Sequence, residues 1–249
     1  MIAIASDYDG TLFFHDIPSG IKKEDIQMIQ NFQEQGHLFG ICTGRPLIGI
    51  KELQKWITPD FYILSSGAVI FNKELQIIHQ ECIDAHIVKT IFDEMKSRCQ
   101  ITIQANHQIY AYLQPANMPI HQEILTSLED LSEADYFGIS LDAGTADKAS
   151  EIHQEMIKKY SEDIDAYQNI QYIDIVKKGC SKGNGILKVK EYFHIDHMYA
   201  IGDSYNDLPM FEQSDYCFTF EESPVKLKEQ CQEVVLSVAQ AIEIIREGV

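Results

Sequence analysis

Apolar and polar positions along the chain fall into short blocks whose texture changes twice. Residues 2–6 are apolar or small throughout, the pattern of a strand covered on both faces in a parallel sheet, and the run stops at Asp7. Over residues 21–35, Ile26, Ile29 and Phe32 recur near helical spacing and Gly36 marks a stop, so a helix is expected. Residues 38–42 read as a second strand. Pro46 suits a first helical turn and predicts a helix over 47–56, followed by a third strand at 61–64. The C-terminal part resumes the alternation: helix 182–192, strand 198–201, a short helix after Tyr205, a strand near Cys217 and a last helix over 238–246.

Strand-helix alternation of this kind predicts an α/β fold, a doubly wound, Rossmann-like parallel-sheet core whose ligands sit beyond the carboxyl ends of the strands. Asp7, Thr43, Ser65 and the pair Gly202-Asp203 all lie at such ends. Between the two stretches the pattern is different: helix-like 84–97, strand-like 101–105 and 108–113, helix-like 118–129, strand-like 136–141, helix-like 147–160 and strand-like 170–175. This predicts an inserted α+β domain over residues 81–177, with 1–80 and 178–249 forming a discontinuous core. The tripeptide His-Gln-Glu recurs at 79–81, 121–123 and 153–155, but its unequal intervals and unmatched flanks do not make a repeat.

Charge narrows the partners. With 38 acidic and 20 basic residues the formal net charge is -18, which repels a nucleic-acid backbone and an anionic membrane surface, so neither is an expected partner. The N-terminal run reaches Asp7 too early for a signal-peptide core, and the apolar stretch around Phe61 to Phe71 is interrupted by Ser65, Ser66 and Gly67. Six scattered cysteines without a C-x-x-C pair fit a reducing compartment, and the expectation is a cytoplasmic protein, a monomer or small homo-oligomer. The histidine pairs His194 with His197 and His86 with His107 lack further ligands for a zinc site. Tyr110 and Tyr112 alternate on one strand face, a pattern more often of core packing than of a substrate pocket.

The chemistry concentrates in two acidic motifs. Asp7-Tyr8-Asp9-Gly10-Thr11 puts two carboxylates two residues apart at the end of a buried strand, with a glycine that lets the chain turn. Such a pair suits phosphoryl transfer, one aspartate attacking phosphorus and the other handing a proton to the leaving alcohol; the bland alternative is a strand-ending turn with two solvated aspartates. Gly202-Asp203-Ser204-Tyr205-Asn206-Asp207 follows another apolar strand with two carboxylates four apart. These can meet around a hard cation such as Mg²⁺, or can simply cap a helix.

With both motifs in this order, the sequence resembles the haloacid dehalogenase-like phosphohydrolase superfamily, specifically its Cof-like branch, whose large α+β cap (C2-type, IIB) is inserted between the second and third motifs. The resemblance covers core and cap. It implies Asp7 as nucleophile and Asp9 as general acid/base, Thr43 in Thr43-Gly44-Arg45 and Lys182 in Ser181-Lys182-Gly183 as phosphate-binding groups, and Asp203 with Asp207 as the acidic metal motif. Mg²⁺ would be held by Asp7, Asp203 and the Asp9 backbone carbonyl, with Asp207 holding a metal water or orienting Lys182, and Asn206 hydrogen-bonding within the phosphate site. Gly10 and Thr11 would support the loop, and Arg45 stays outside the catalytic set. His15 and Asp16 would lie in a flap beside the site, although a surface histidine is the plainer reading. Where relatives often carry Asn-Gly-Ala, this chain has Ser66-Gly67-Ala68, a departure at the asparagine position that leaves Ser66 able to donate a hydrogen bond there.

The implied function is a Mg²⁺-dependent phosphatase acting through an aspartyl-phosphate on small phosphate esters, with sugar phosphates foremost. A phosphomutase passing the same phosphoryl group to another sugar hydroxyl uses the same motifs. A catalytically idle relative is the other alternative, and intact Asp7, Asp9, Lys182 and Asp203 argue against it.

Overall fold

The computed structural model describes residues 1–118 and 120–248. The chain begins with β1 (Ile2–Ser6), α1 (Lys23–Glu34), β2 (Leu38–Cys42) and β3 (Phe61–Leu64), then a hairpin of β4 (Val69–Asn72) and β5 (Ile77–Gln80). There follow α2 (Ala85–Met95), β6 (Gln100–Ala105), β7 (Gln108–Tyr112), β8 (Glu123–Leu125), β9 (Tyr136–Asp142), α3 (Ala146–Tyr160), β10 (Ile164–Asn169) and β11 (Tyr172–Lys177). The last part holds α4 (Lys182–Phe193), β12 (His197–Ile201), α5 (Leu208–Glu212), β13 (Tyr216–Thr219), α6 (Val225–Gln230), β14 (Glu233–Val234) and α7 (Val238–Glu247).

Two sheets result. The first runs β14-β13-β12-β1-β2-β3-β4-β5, parallel from β14 to β3 and antiparallel from β3 to β4. Its central strands are buried along almost their whole length, as continuous apolar runs require when helices cover both faces. Ala3, Ala5, Phe61, Ile63 and Met198 meet Ile186 and Val189 of α4, Met210 of α5 and Leu227 of α6 in one cluster, whereas α1 packs with α7 and against β2. β1 lies between β2 and β12, the point where the chain reverses its direction of winding and where strand ends leave a crevice.

The second sheet runs β10-β11-β9-β6-β7-β8. Ile101, Ile103, Ile139, Leu141, Ile173 and Ile175 form a cluster with Val88, Ile91 and Met95 of α2 and Ala149, Ile152 and Met156 of α3. By contacts the chain divides into one unit of residues 1–44, 52–79 and 181–249 and another of 45–51 and 80–180. Tyr110 and Tyr112 pack against the second unit's core, Tyr112 edge-on to Phe92 with ring centres 4.8 Å apart.

Two of the expected helices take another form. Residues 118–129 are not a helix; apart from Pro119, which lies outside the described residues, they hold β8 and a 3-10 turn over Leu128–Leu131. Ile120, Ile124 and Leu128 have helical spacing, but the edge of the sheet takes Glu123 to Leu125 as a parallel partner of Tyr110 to Tyr112, and Ile124 stays 49% exposed. The stretch after Pro46 winds as a 3-10 helix over Leu47–Lys55, its first bond running from Gly49 N–H to Pro46 O (2.9 Å). A glycine in the first turn, poor in helix propensity, is consistent with a tighter 3-10 winding in place of a regular α-helix.

Candidate active site

Three strand ends and one helix start supply the site, all within the first unit. β1 delivers Asp7, whose N–H donates to Ile201 O (2.9 Å) in the neighbouring β12, and β12 delivers Gly202-Asp203. β2 delivers Thr43, buried, with its N–H on Ile63 O (2.8 Å) and its carbonyl accepting from Ser66 N–H (3.1 Å). Lys182 is the first residue of α4, set there by Ser181, whose hydroxyl accepts from Asn184 N–H (3.0 Å) as the N-cap.

Lys182 is the hub. Its Nζ lies 2.6 Å from Asp7 Oδ1 and 2.6 Å from Asp207 Oδ1, and 3.5 Å from Asn206 Oδ1. Asp207 is fully buried, and its other oxygen accepts from the N–H groups of Asp203 and Ser204, each at 3.0 Å. One carboxylate therefore fixes both the lysine and the turn that presents Asp203. Asn206 is exposed and accepts from Ser204 Oγ (2.7 Å). Thr11 Oγ1 donates to Asp203 Oδ1 (2.8 Å), the loop-supporting role its position implies.

Gly10 belongs to this geometry. Its φ of +80° is unfavourable for other residues, and a Cβ there would lie 2.8 Å from Asp203 Oδ2, so the first loop can close on the second motif only as glycine. Gly67 does similar work: Ser65, Ser66 and Gly67 are consecutive left-handed residues, and a Cβ on Gly67 would come within 2.2 Å of Ser181 O. The turn between β3 and β4 thus seats against the cap of α4, and Ser66 N–H reaches Thr43.

Carboxylate oxygens of Asp7, Asp203 and Asp207 lie within 4.8 Å of one another, the one cluster of three or more metal-ligating side chains among the described residues. Burial pushes Asp7 well above the usual carboxylate range; Lys182 opposes this, and the charges of Asp207 and Asp203 add to it. Burial also raises Asp203, against the hydrogen bond from Thr11. Burial works against the Lys182 charge, but Asp207 and Asp7 outweigh it and hold the ammonium above its ordinary range. Three crowded carboxylates facing one ammonium leave an excess of negative charge, and their hard oxygens suit a small divalent cation.

Asp9 is exposed at the start of the loop, where its backbone bridges to Phe13. Arg45 donates to Gly49 O (2.9 Å) and His15 is an exposed residue standing edge-on to Phe13. Sequence reasoning missed two buried hydroxyls behind the metal motif: Thr219 Oγ1 donates to Gly202 O (2.8 Å) and lies 2.8 Å from Ser223 Oγ. Their only signal was a small polar residue at the end of an apolar strand.

Comparison with known proteins points to one family and one fold. The family model described as haloacid dehalogenase-like hydrolase matches residues 4–242. A Bacillus subtilis protein named 5-amino-6-(5-phospho-D-ribitylamino)uracil phosphatase YwtE is 26% identical, over 92% of this chain and 91% of its own. A haloacid dehalogenase-like hydrolase from B. subtilis superposes with a TM-score of 0.86 at 18% identity over 100% of both chains. The sugar phosphatase BT4131, of HAD subclass IIB, superposes at 0.82 with 20% identity over 99% of this chain and 98% of that one.

Proposed function

The chain belongs to the haloacid dehalogenase-like hydrolases and is a phosphatase of their Cof-like kind, and from that premise we propose that it hydrolyses small sugar or polyol phosphates with Mg²⁺ through an aspartyl-phosphate. The observation that carries this reading is the buried Lys182 ammonium bonded to both Asp7 and Asp207 at 2.6 Å beside the Asp203 carboxylate.

Asp7 attacks phosphorus through a carboxylate oxygen. Asp203, Asp7 and the Asp9 carbonyl would hold Mg²⁺, which supplies charge neutralisation and Lewis acidity toward the phosphoryl oxygens. Lys182 and the Thr43 hydroxyl bind those oxygens, with Asn206 at the rim, and a fixed ammonium in a buried site stabilises charge far better than water does. Asp207 acts as a positioning residue, because its oxygens are engaged by Lys182 and by two backbone N–H groups. Asp9 on its exposed loop gives a proton to the leaving alkoxide and then takes one from the water that opens the aspartyl-phosphate.

Two similarities support the substrate class. YwtE is named for a phosphorylated ribityl compound and BT4131 for sugar phosphate, both phosphate esters of polyhydroxylated carbon chains. The inserted unit is the specificity element of this reading. Phosphate release from sugar, ribityl and aryl phosphates, with Mg²⁺ or with a chelator, tests it. Metal-dependent release by the wild type, lost by at least about 10³-fold in Asp7→Asn while the fold persists, is the expected result. Release that survives the substitution removes Asp7 from its role.

A further inference from the structure

Away from the catalytic groups, β13 and the segment after α6 bring two cysteines together. Cys217 N–H donates to Gln232 Oε1 (2.8 Å), Cys217 O accepts from Gln232 N–H (3.2 Å), and Cys217 Sγ lies 3.6 Å from Gln230 O. The residues on either side of Cys231 are therefore both held on Cys217. Cys231 itself ends α6, with its N–H on Leu227 O (3.0 Å) and extended backbone leading into β14. Both side chains pack on the cluster of Met198, Ala200 and Leu227, which places the thiols on one face. The two thiols act on each other: the Cys231 contact lowers the Cys217 thiol below its ordinary range, and Cys217 together with burial pushes the Cys231 thiol well above its own. Cys217 is buried and Cys231 half-buried, so the pair is screened but has a solvent-side member.

We propose that Cys217 and Cys231 are a redox modification site that closes to a reversible disulfide on exposure to a peroxide. The Cys217 sulfur, as thiolate, attacks one oxygen of hydrogen peroxide, the O–O bond breaks, and the departing hydroxide takes up the proton that Cys217 released, leaving a sulfenic acid and water. The second sulfur then attacks the sulfenic sulfur, an S–S bond forms, the S–O bond breaks, and the second thiol proton leaves with the hydroxyl as water. Two thiols lose two electrons and two protons to one peroxide, which becomes two waters.

The bond would close a loop containing Phe220 to Ser223 and would tether the strand whose Thr219 holds Gly202. Oxidation would thus clamp the edge of the sheet next to the Asp203 turn without touching a catalytic side chain.

The test uses the full chain, treated with hydrogen peroxide and then denatured for thiol counting and peptide mapping. Six thiols should fall to four, with the loss confined to a Cys217–Cys231 linkage that dithiothreitol reverses, and Cys231→Ser should form no linkage and lose at most the Cys217 thiol, to sulfenic acid. Retention of six thiols, over-oxidation to sulfinic acid without a linkage, a linkage between Cys82 and Cys180 instead, or loss of a thiol pair in Cys231→Ser would each overturn the proposal. The map of the wild type decides the matter even where the serine variant does not fold.

Discussion

At the scale of single residues, Asp207 and Asp25 show how differently a buried carboxylate can be settled. Asp207 accepts from three donors with two oxygens, and an asparagine there would turn an NH₂ group toward either the ammonium or the backbone N–H pair. Asp207→Asn should therefore destabilise the fold by about 3 kcal/mol, as breaking a buried ion pair does, and lower kcat more than it raises KM, because Lys182 loses its register. Urea unfolding and steady-state kinetics check both. Asp25, in α1, is fully buried; Oδ1 accepts from Ala239 N–H (2.7 Å) in the first turn of α7, and Oδ2 has no hydrogen-bond partner among the described residues. Burial pushes its pKa up to about 6. Since this folded-state value exceeds the unfolded one, near 3.9, the favourable contribution is complete below about pH 4 and is lost as pH rises through about 6. The stability of Asp25→Asn relative to wild type should accordingly grow between pH 4.5 and 7.5 by about 2 kcal/mol, whatever the absolute cost of the amide. A pH-independent difference would mean that Asp25 does not titrate in this window.

At the scale of elements, what was legible depended on whether local pattern and tertiary context agree. β1, β2 and β3 fall on the residues expected because strands buried on both faces must be apolar throughout, and Asp7, Thr43 and Ser65 stand at their ends as that pattern requires. Lys182 is 175 residues from Asp7, yet a helix beginning at Ser181-Lys182 and a strand ending at Asp7 converge by the topology of the sheet alone. β10 went unread although Ile164-Asp165-Ala166-Tyr167 alternates as a half-buried strand does, and β8 because an edge strand three residues long carries no periodicity of its own. The brace at the end of β13 was equally silent. Thr219→Val keeps shape but takes the hydroxyl donor from Gly202 O and leaves Ser223 Oγ with only its bond from Phe220 N–H in a buried place, so a loss of about 1–3 kcal/mol is expected. If that brace positions the Asp203 turn, half-saturation by Mg²⁺ should also rise, while a lower melting temperature with unchanged metal dependence would make Thr219 a purely structural residue.

At the scale of the whole molecule, the net charge of -18 sets a long-range field that opposes any phosphate dianion, while the ammonium of Lys182 acts only within the site. The two contributions have different ranges and salt separates them. The screening length is roughly 30 Å at 0.01 M salt, comparable to a domain, and falls to about 8 Å at 0.15 M. Raising salt across this interval should remove most of the field of distant carboxylates and leave the contact between Lys182 and a bound phosphoryl group nearly intact, since buried pairs are screened much less. With Mg²⁺ kept saturating, kcat/KM for a sugar phosphate should rise by a factor on the order of 3, carried by KM, with kcat unchanged. Initial-rate measurements at several salt concentrations with an inert cation decide the point. A fall in kcat/KM instead would show that local positive potential dominates capture, so that surface carboxylates far from the site contribute nothing to selection against anions.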